Sequence, residues 1–262
     1  MLNAAVLQPA VKSPYFHVLG VRVDAIQTAG AVATMERLIS NGKPGCYVTV
    51  TGMHGVAESR GDGNFREILN AADLVVPDGM PLVWLGRLHG FPMRHRVPGS
   101  ELMEEFCQKT GSRYRHFFYG GGPGVAEDLA KQLHARHGIT IAGTFTPPYR
   151  PLTPEEEEQV ARQVDESAAD VLWVGLSTPK QEKWMHAHRE AFRIPLMLGV
   201  GAAFDMNSGR LRRAPEWIRE NGLEWLFRLV MEPRRLWKRY LVIIPRSVFS
   251  VSLELCRLKK FD

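Results

Sequence analysis

Residues Asp170–Leu176 read DVLWVGL, and Ser177–Glu182 behind them read STPKQE. A short apolar run bounded by polar punctuation fits a strand buried on both faces. Pro179–Phe192 follows as a helix, with proline near its first turn. The same alternation repeats in both directions. Upstream come the strand YRHFFYG (Tyr114–Gly120), the turn GGPG, a helix over Val125–His137 closed by Gly138, and the strand ITIAGTF. Thr153-Pro154-Glu155-Glu156 then carries a capping-box pair for a helix running to about Ala168. Downstream IPLMLGVGAAF is a strand, and nearer the N-terminus so are CYVTVTG (Cys46–Gly52) and ADLVVPD (Ala72–Asp78). Apolar strands alternating with helices predict an α/β, Rossmann-like fold: a mostly parallel sheet with helices on both faces.

Other elements are read locally. HVLGVRV (His17–Val23) alternates like one short strand, and Asp24 can cap a helix reaching Ser40. One helix is expected within Glu58–Asn70, and Ser100 is expected as the N-cap of a helix ending near Gly111. Met1–Pro14 reads as a loose arm without the features of a signal peptide. The catalytic domain is expected over residues 15–209. Past Asp205 strand patterns stop and arginines interleave with tryptophans, so residues 210–262 are expected to form a helical, basic appendage.

The three cysteines, Cys46, Cys107 and Cys256, are far apart and form no C-x-x-C, which fits a reducing cytoplasm rather than a disulfide framework. The longest late apolar run stops at Pro245, too short to span a bilayer. Residues 210–262 hold 13 Lys+Arg against 6 Asp+Glu, whereas residues 1–209 hold 20 against 22. A basic end on a slightly acidic body suits an anionic partner: a membrane surface, a phosphate or a nucleic acid.

In parallel sheets ligands bind beyond the carboxyl ends of the strands. Four such ends carry suggestive residues: Thr49 and Thr51; Asp78-Gly79; Gly120-Gly121-Gly122-Pro123-Gly124; and Ser177-Thr178-Pro179-Lys180-Gln181. The glycine turn would let N–H groups approach a phosphate, or is merely a tight turn. It is not the dinucleotide fingerprint, since Val125 stands at the third glycine position. Lys180 and Gln181 suit a phosphate or sugar hydroxyls, or a solvated first turn. Asp78 reads either as the N-cap of a helix starting at Met80 or as a general base. No H-E-x-x-H or D-x-D occurs, and no catalytic metal is expected. Arg212, Arg213, Arg228 and Arg234 lie among tryptophans, a mixture suited to phosphate and to the headgroup layer.

VPDG, GGGPGVAE, STPKQE, GVGAAFD and RRAPEWIRENGLEWLFRLVMEPRRLWKRY occur in this order. Together they resemble the WecG/TagA/CpsF family of bacterial glycosyltransferases, over about Phe16–Tyr240. The resemblance implies transfer of a sugar from a UDP-sugar to a monosaccharide on a polyprenyl diphosphate. The reaction would invert the anomeric centre, need no cofactor or metal, and run at the cytoplasmic face of the membrane. It further implies Asp78 as general base, with Thr49 and Gln181 beside it. Thr51, Gly79, Gly120, Gly121, Gly122, Lys180 and Asp205 join the substrate-binding set. Arg212, Arg213, Arg228 and Arg234 are implied to hold diphosphate while the appendage touches anionic lipid. No nucleic-acid partner is expected, and a homo-oligomer is compatible with the sequence.

Many members of that family read T-x-N where this chain has Thr49-Val50-Thr51. That difference leans the expected donor to UDP-glucose, as in xanthan-type exopolysaccharide enzymes. The alternative is transfer of N-acetylmannosamine or its uronic acid onto GlcNAc-diphosphate-undecaprenol. Two rivals of other classes are an NAD-dependent oxidoreductase and a nucleic-acid-binding module using the Arg/Trp tail.

Overall fold

The computed structural model describes residues 13–211, 214, 215, 217, 218 and 223–255, excluding the side chains of residues 235, 239, 248, 254 and 255. The expected N-terminal arm lies almost wholly outside the described residues. An antiparallel hairpin, β1 (Tyr15–Val18) and β2 (Val21–Asp24), precedes a six-stranded parallel sheet. The sheet strands are β3 (Cys46–Thr51), β4 (Leu74–Pro77), β5 (Arg115–Gly120), β6 (Thr140–Phe145), β7 (Val171–Gly175) and β8 (Leu196–Gly199). Their spatial order is β4-β3-β8-β7-β5-β6, and every pairing is parallel. The α/β Rossmann-like reading is correct.

The order explains where a ligand can enter. The chain lays β4 beside β3, crosses to the far flank for β5 and β6, then fills the gap with β7 and β8. The first and last sheet strands, β3 and β8, thus become neighbours whose following segments diverge. Such a divergence leaves a crevice at the carboxyl ends.

Core packing follows the apolar runs. On one face Met35, Phe106 and Leu129, from the helices Thr28–Ser40, Gly99–Thr110 and Val125–His137, cluster with Trp173 and Phe118 of the sheet. On the other, Val160, Val164 and Met185 cluster with Tyr47, Phe117 and Tyr119. A third cluster joins the hairpin to the helices Met53–Ser59, Gly63–Asn70 and Met80–Leu88.

Local expectations fail where one residue has a stronger use. His17–Val23 is a hairpin, not one strand: Leu19 (φ 51°) and Gly20 (φ 80°) make the turn. Asp24 caps no helix; its Oδ2 accepts from the N–H of Val75 at 2.7 Å, and the next helix starts at Thr28. The helix expected within Glu58–Asn70 is present as Gly63–Asn70, capped by Asp62, which accepts from the N–H of Phe65 at 2.9 Å. Ser100 lies inside its helix, with Pro98 at the N-cap position. The Thr153 capping box forms as expected.

In the C-terminal region the described residues form helices Glu224–Met231, Pro233–Lys238 and Ile244–Leu255, with a π-helical turn at Arg239–Ile243. These helices return to the body. Val251 is buried in the hairpin cluster, and Ser250 Oγ accepts from Arg60 at 2.6 Å. Among the described residues no helix is long and apolar enough to cross a membrane.

Candidate active site

β3 and β4 end side by side, with Thr51 paired to Pro77 and the N–H of Asp78 bonded to the Thr51 carbonyl at 2.8 Å. A Cβ on Gly52 would stand 2.7 Å from the Asp78 carbonyl oxygen, so only glycine lets the two strand ends close. Gly79, at φ 120°, then turns the chain and occupies the N-cap position of the helix Met80–Leu88. Asp78 is therefore not the N-cap residue. Its side chain is 36% exposed and faces Arg96, whose Nη1 lies 3.5 Å from Oδ1. Arg96 Nη2 bonds Glu224 of the C-terminal region. Burial alone would lower the Arg96 pKa, but Asp78, Glu224 and Glu101 outweigh it and the net shift is upward. Arg96 is thus a firmly held cation between carboxylates.

Two cavities meet at Asp78. One, of about 360 Å³, runs along the carboxyl ends of β7 and β8 past Ser177, Thr178, Gln181 and Gly201. The other, of about 240 Å³, is bounded by Met80, Trp84, Trp225, Tyr240 and Ile244. Gly52, His54, Asp78, Arg96, Glu224 and Arg228 line both. The first is rich in polar groups and takes its cations from Arg96, Arg228 and Lys238. The second is walled mainly by aromatic and aliphatic side chains. Of the two carboxylates at this junction, Glu224 is bonded to Arg96 Nη2, and Asp78 can take a proton from a hydroxyl that arrives on a greasy carrier.

The sequence profile described as "Glycosyl transferase WecG/TagA/CpsF family" matches residues 16–261. The chain belongs to that family. It is a glycosyltransferase, as the motifs implied. Among its relatives, an N-acetylglucosaminyldiphosphoundecaprenol N-acetyl-beta-D-mannosaminyltransferase of Bacillus spizizenii is 30% identical over 222 residues, covering 84% of each chain. The Bacillus subtilis protein of the same name is 30% identical, covering 74% of this chain and 73% of its own. A Staphylococcus aureus counterpart is 28% identical, covering 75% of each.

Not every family-motif residue reaches the cavities. Asp78, Gln181 and Arg228 line the larger one, and Gly79 lines the smaller. Thr49 and Thr51 are buried in β3, where Thr51 Oγ1 donates to Thr49 Oγ1 at 3.1 Å. Neither lines either of the two chambers. Gly120, Gly121 and Gly122 also stand away from both linings. A Cβ on Gly120 would meet the Gly175 carbonyl oxygen at 2.6 Å, so that glycine serves strand packing. Arg210 closes the same turn by donating to the Pro123 carbonyl at 2.8 Å and to Asp128. Lys180 is exposed at the first position of its helix, with Pro179 at the N-cap; neither Lys180 nor Asp205 lines a cavity. Arg234 is exposed outside both linings, and Arg212 and Arg213 lie outside the described residues.

Arg96 and Glu224 line the site without having been singled out in the sequence. Arg96 sits in FPMRHRVPGS beside Arg94 and His95, where no local pattern separates it from solvated neighbours. Only the fold brings it to Asp78.

Proposed function

We propose that this glycosyltransferase moves N-acetylmannosamine from a UDP-linked donor onto GlcNAc-diphosphate-undecaprenol. The observation that carries the reading is Asp78 at the meeting point of the two chambers. The sugar nucleotide occupies the polar chamber, and the polyprenyl end of the acceptor enters along the apolar one. Asp78 takes the proton of the acceptor hydroxyl as its oxygen attacks the anomeric carbon. Inversion follows from a single in-line displacement, with no covalent intermediate. Charge developing on the leaving diphosphate falls to Arg228 and Lys238, cations that line the chamber. The metal-free course is the one the resemblance implies.

The relatives' printed names support N-acetylmannosamine over glucose. The lean to UDP-glucose rested on Thr51, and Thr51 is buried against Thr49 rather than facing the chamber, so its identity speaks weakly about the sugar. Trp225, Trp237, Leu241 and Phe249 expose apolar surface on the C-terminal helices, and Trp225 also walls the apolar chamber. Such residues beside basic ones suit contact with the cytoplasmic leaflet, where a lipid-linked acceptor is presented.

The test is a matrix of UDP-ManNAc and UDP-glucose against short-chain polyprenyl-diphosphate GlcNAc and glucose, with products read by mass spectrometry. A disaccharide from UDP-ManNAc and the GlcNAc acceptor is expected. Product from UDP-glucose alone would overturn the donor assignment.

A further inference from the structure

Gln181 and Glu182 open the helix Lys180–His188 and are the most deeply buried polar pair beside the larger chamber, at 2% and 1% exposure. Glu182 Oε1 accepts two hydrogen bonds, from Thr178 Oγ1 at 2.8 Å and from Gln181 Nε2 at 3.0 Å. Its Oε2 is buried without a partner, and so is Gln181 Oε1. Two donors thus converge on one carboxyl oxygen. Burial raises the Glu182 pKa against the lowering effect of both bonds.

The amide is directional. Its nitrogen is used by Glu182, so its oxygen must be the end left for a ligand. A Cβ on Gly199 would come within 3.0 Å of Nε2, whereas one on Gly201 would stand nearer Oε1, at 3.5 Å, than Nε2, at 4.0 Å. Gly201 and Gln181 both line the chamber. The carbonyl end therefore lies toward the chamber wall, and the amino end toward strand β8.

We propose that Glu182, braced by Thr178, is a positioning residue that locks the Gln181 amide with its oxygen toward the chamber, selecting a ligand group that donates a hydrogen bond. The fitting groups are a sugar hydroxyl or an amide N–H of the bound sugar nucleotide; a phosphate oxygen, which only accepts, is refused at this point. The inference rests on reading the chamber as the sugar-nucleotide site. It assigns no proton transfer to Glu182.

The experiment compares wild type, Glu182→Gln and Glu182→Met in steady-state transfer and in binding of the UDP-sugar. It adds the side-chain ¹⁵N amide signal of Gln181, assigned by its loss in Gln181→Leu. Glu182→Gln supplies the same carbonyl oxygen and should keep the donor KM within about twofold, well inside the value of one hydrogen bond. Glu182→Met frees the amide to rotate and should raise donor KM on the order of tenfold, with acceptor KM unchanged. The Gln181 amide protons should be protected from exchange in wild type and Glu182→Gln. Wild-type donor KM in Glu182→Met, equal losses in both variants, or an unprotected Gln181 amide in wild type would each overturn the proposal. Absence of UDP-sugar binding by the wild type would overturn the site reading and this inference with it; the amide signal tells the two failures apart.

Discussion

The ends of β4 and β5 look alike in sequence, since each is an apolar run followed by glycine and then a helix. They serve different purposes. At β4 the close approach that Gly52 permits holds Asp78 at the junction of two chambers. At β5 Gly120 packs against Gly175 of β7, Gly121 packs against Val125 of the following helix, and Arg210 clamps the turn from outside. A glycine after a strand marks a place where something comes very near the backbone. Whether that is a ligand or another strand depends on the neighbour, which local sequence does not name.

The contrast can be broken most forcefully at Asp78. Asp78→Asn should lower kcat by on the order of 10²–10⁴ with an unchanged melting temperature. Near-normal turnover in the folded variant would remove the base from β4. Next, Arg228→Ala with Lys238→Ala should raise donor KM by roughly 10–100-fold, as expected for lost charged hydrogen bonds. Lys180→Ala, by contrast, should barely move it.

A smaller effect separates the two glycine sets. Gly52→Ala should cost about 1–3 kcal/mol in chemical denaturation, because the added methyl meets the Asp78 carbonyl. Gly122→Ala would meet Tyr149 Oη at 3.3 Å and Val125 Cγ2 at 3.8 Å, both side-chain ends, and should stay within about 0.5 kcal/mol with transfer intact. Lost activity in Gly122→Ala would return the β5 turn to the site.

The gentlest probe addresses the other end of β5. His116 is buried, accepts from Trp173 Nε1 at 3.0 Å, and is pushed by burial down to about 4. The unfolded chain takes up that proton near pH 6.5, the folded chain only near 4. Stability should therefore fall as pH drops from 6.5 to 4, by at most about 3 kcal/mol, and level off below. Thermal melts against pH should show this component, and His116→Gln should lack it.

The sheet was legible because each strand is a nearly unbroken apolar run, and burial on both faces leaves no other use for such a run. Asp78, Gln181 and Arg228 were legible as candidates from their motifs. The helix within Glu58–Asn70 was legible but its start was not, because Asp62 becomes the cap only once the chain bends there. Arg96 was hidden for another reason: a cation's worth here comes from Asp78 and Glu224, distant in sequence and near in space. The threonines misled in the opposite direction, since a strand-end residue can point inward as readily as outward.

Asp24 carries one more consequence. Its carboxylate occupies the Val75 N–H on the outer flank of β4, and Arg22 covers the Ala72 carbonyl at 2.8 Å. Those side chains plug an edge that a foreign strand would otherwise recognise. On the flank that leads to Asp78, the sheet edge is thereby closed to pairing with the strand of a second molecule.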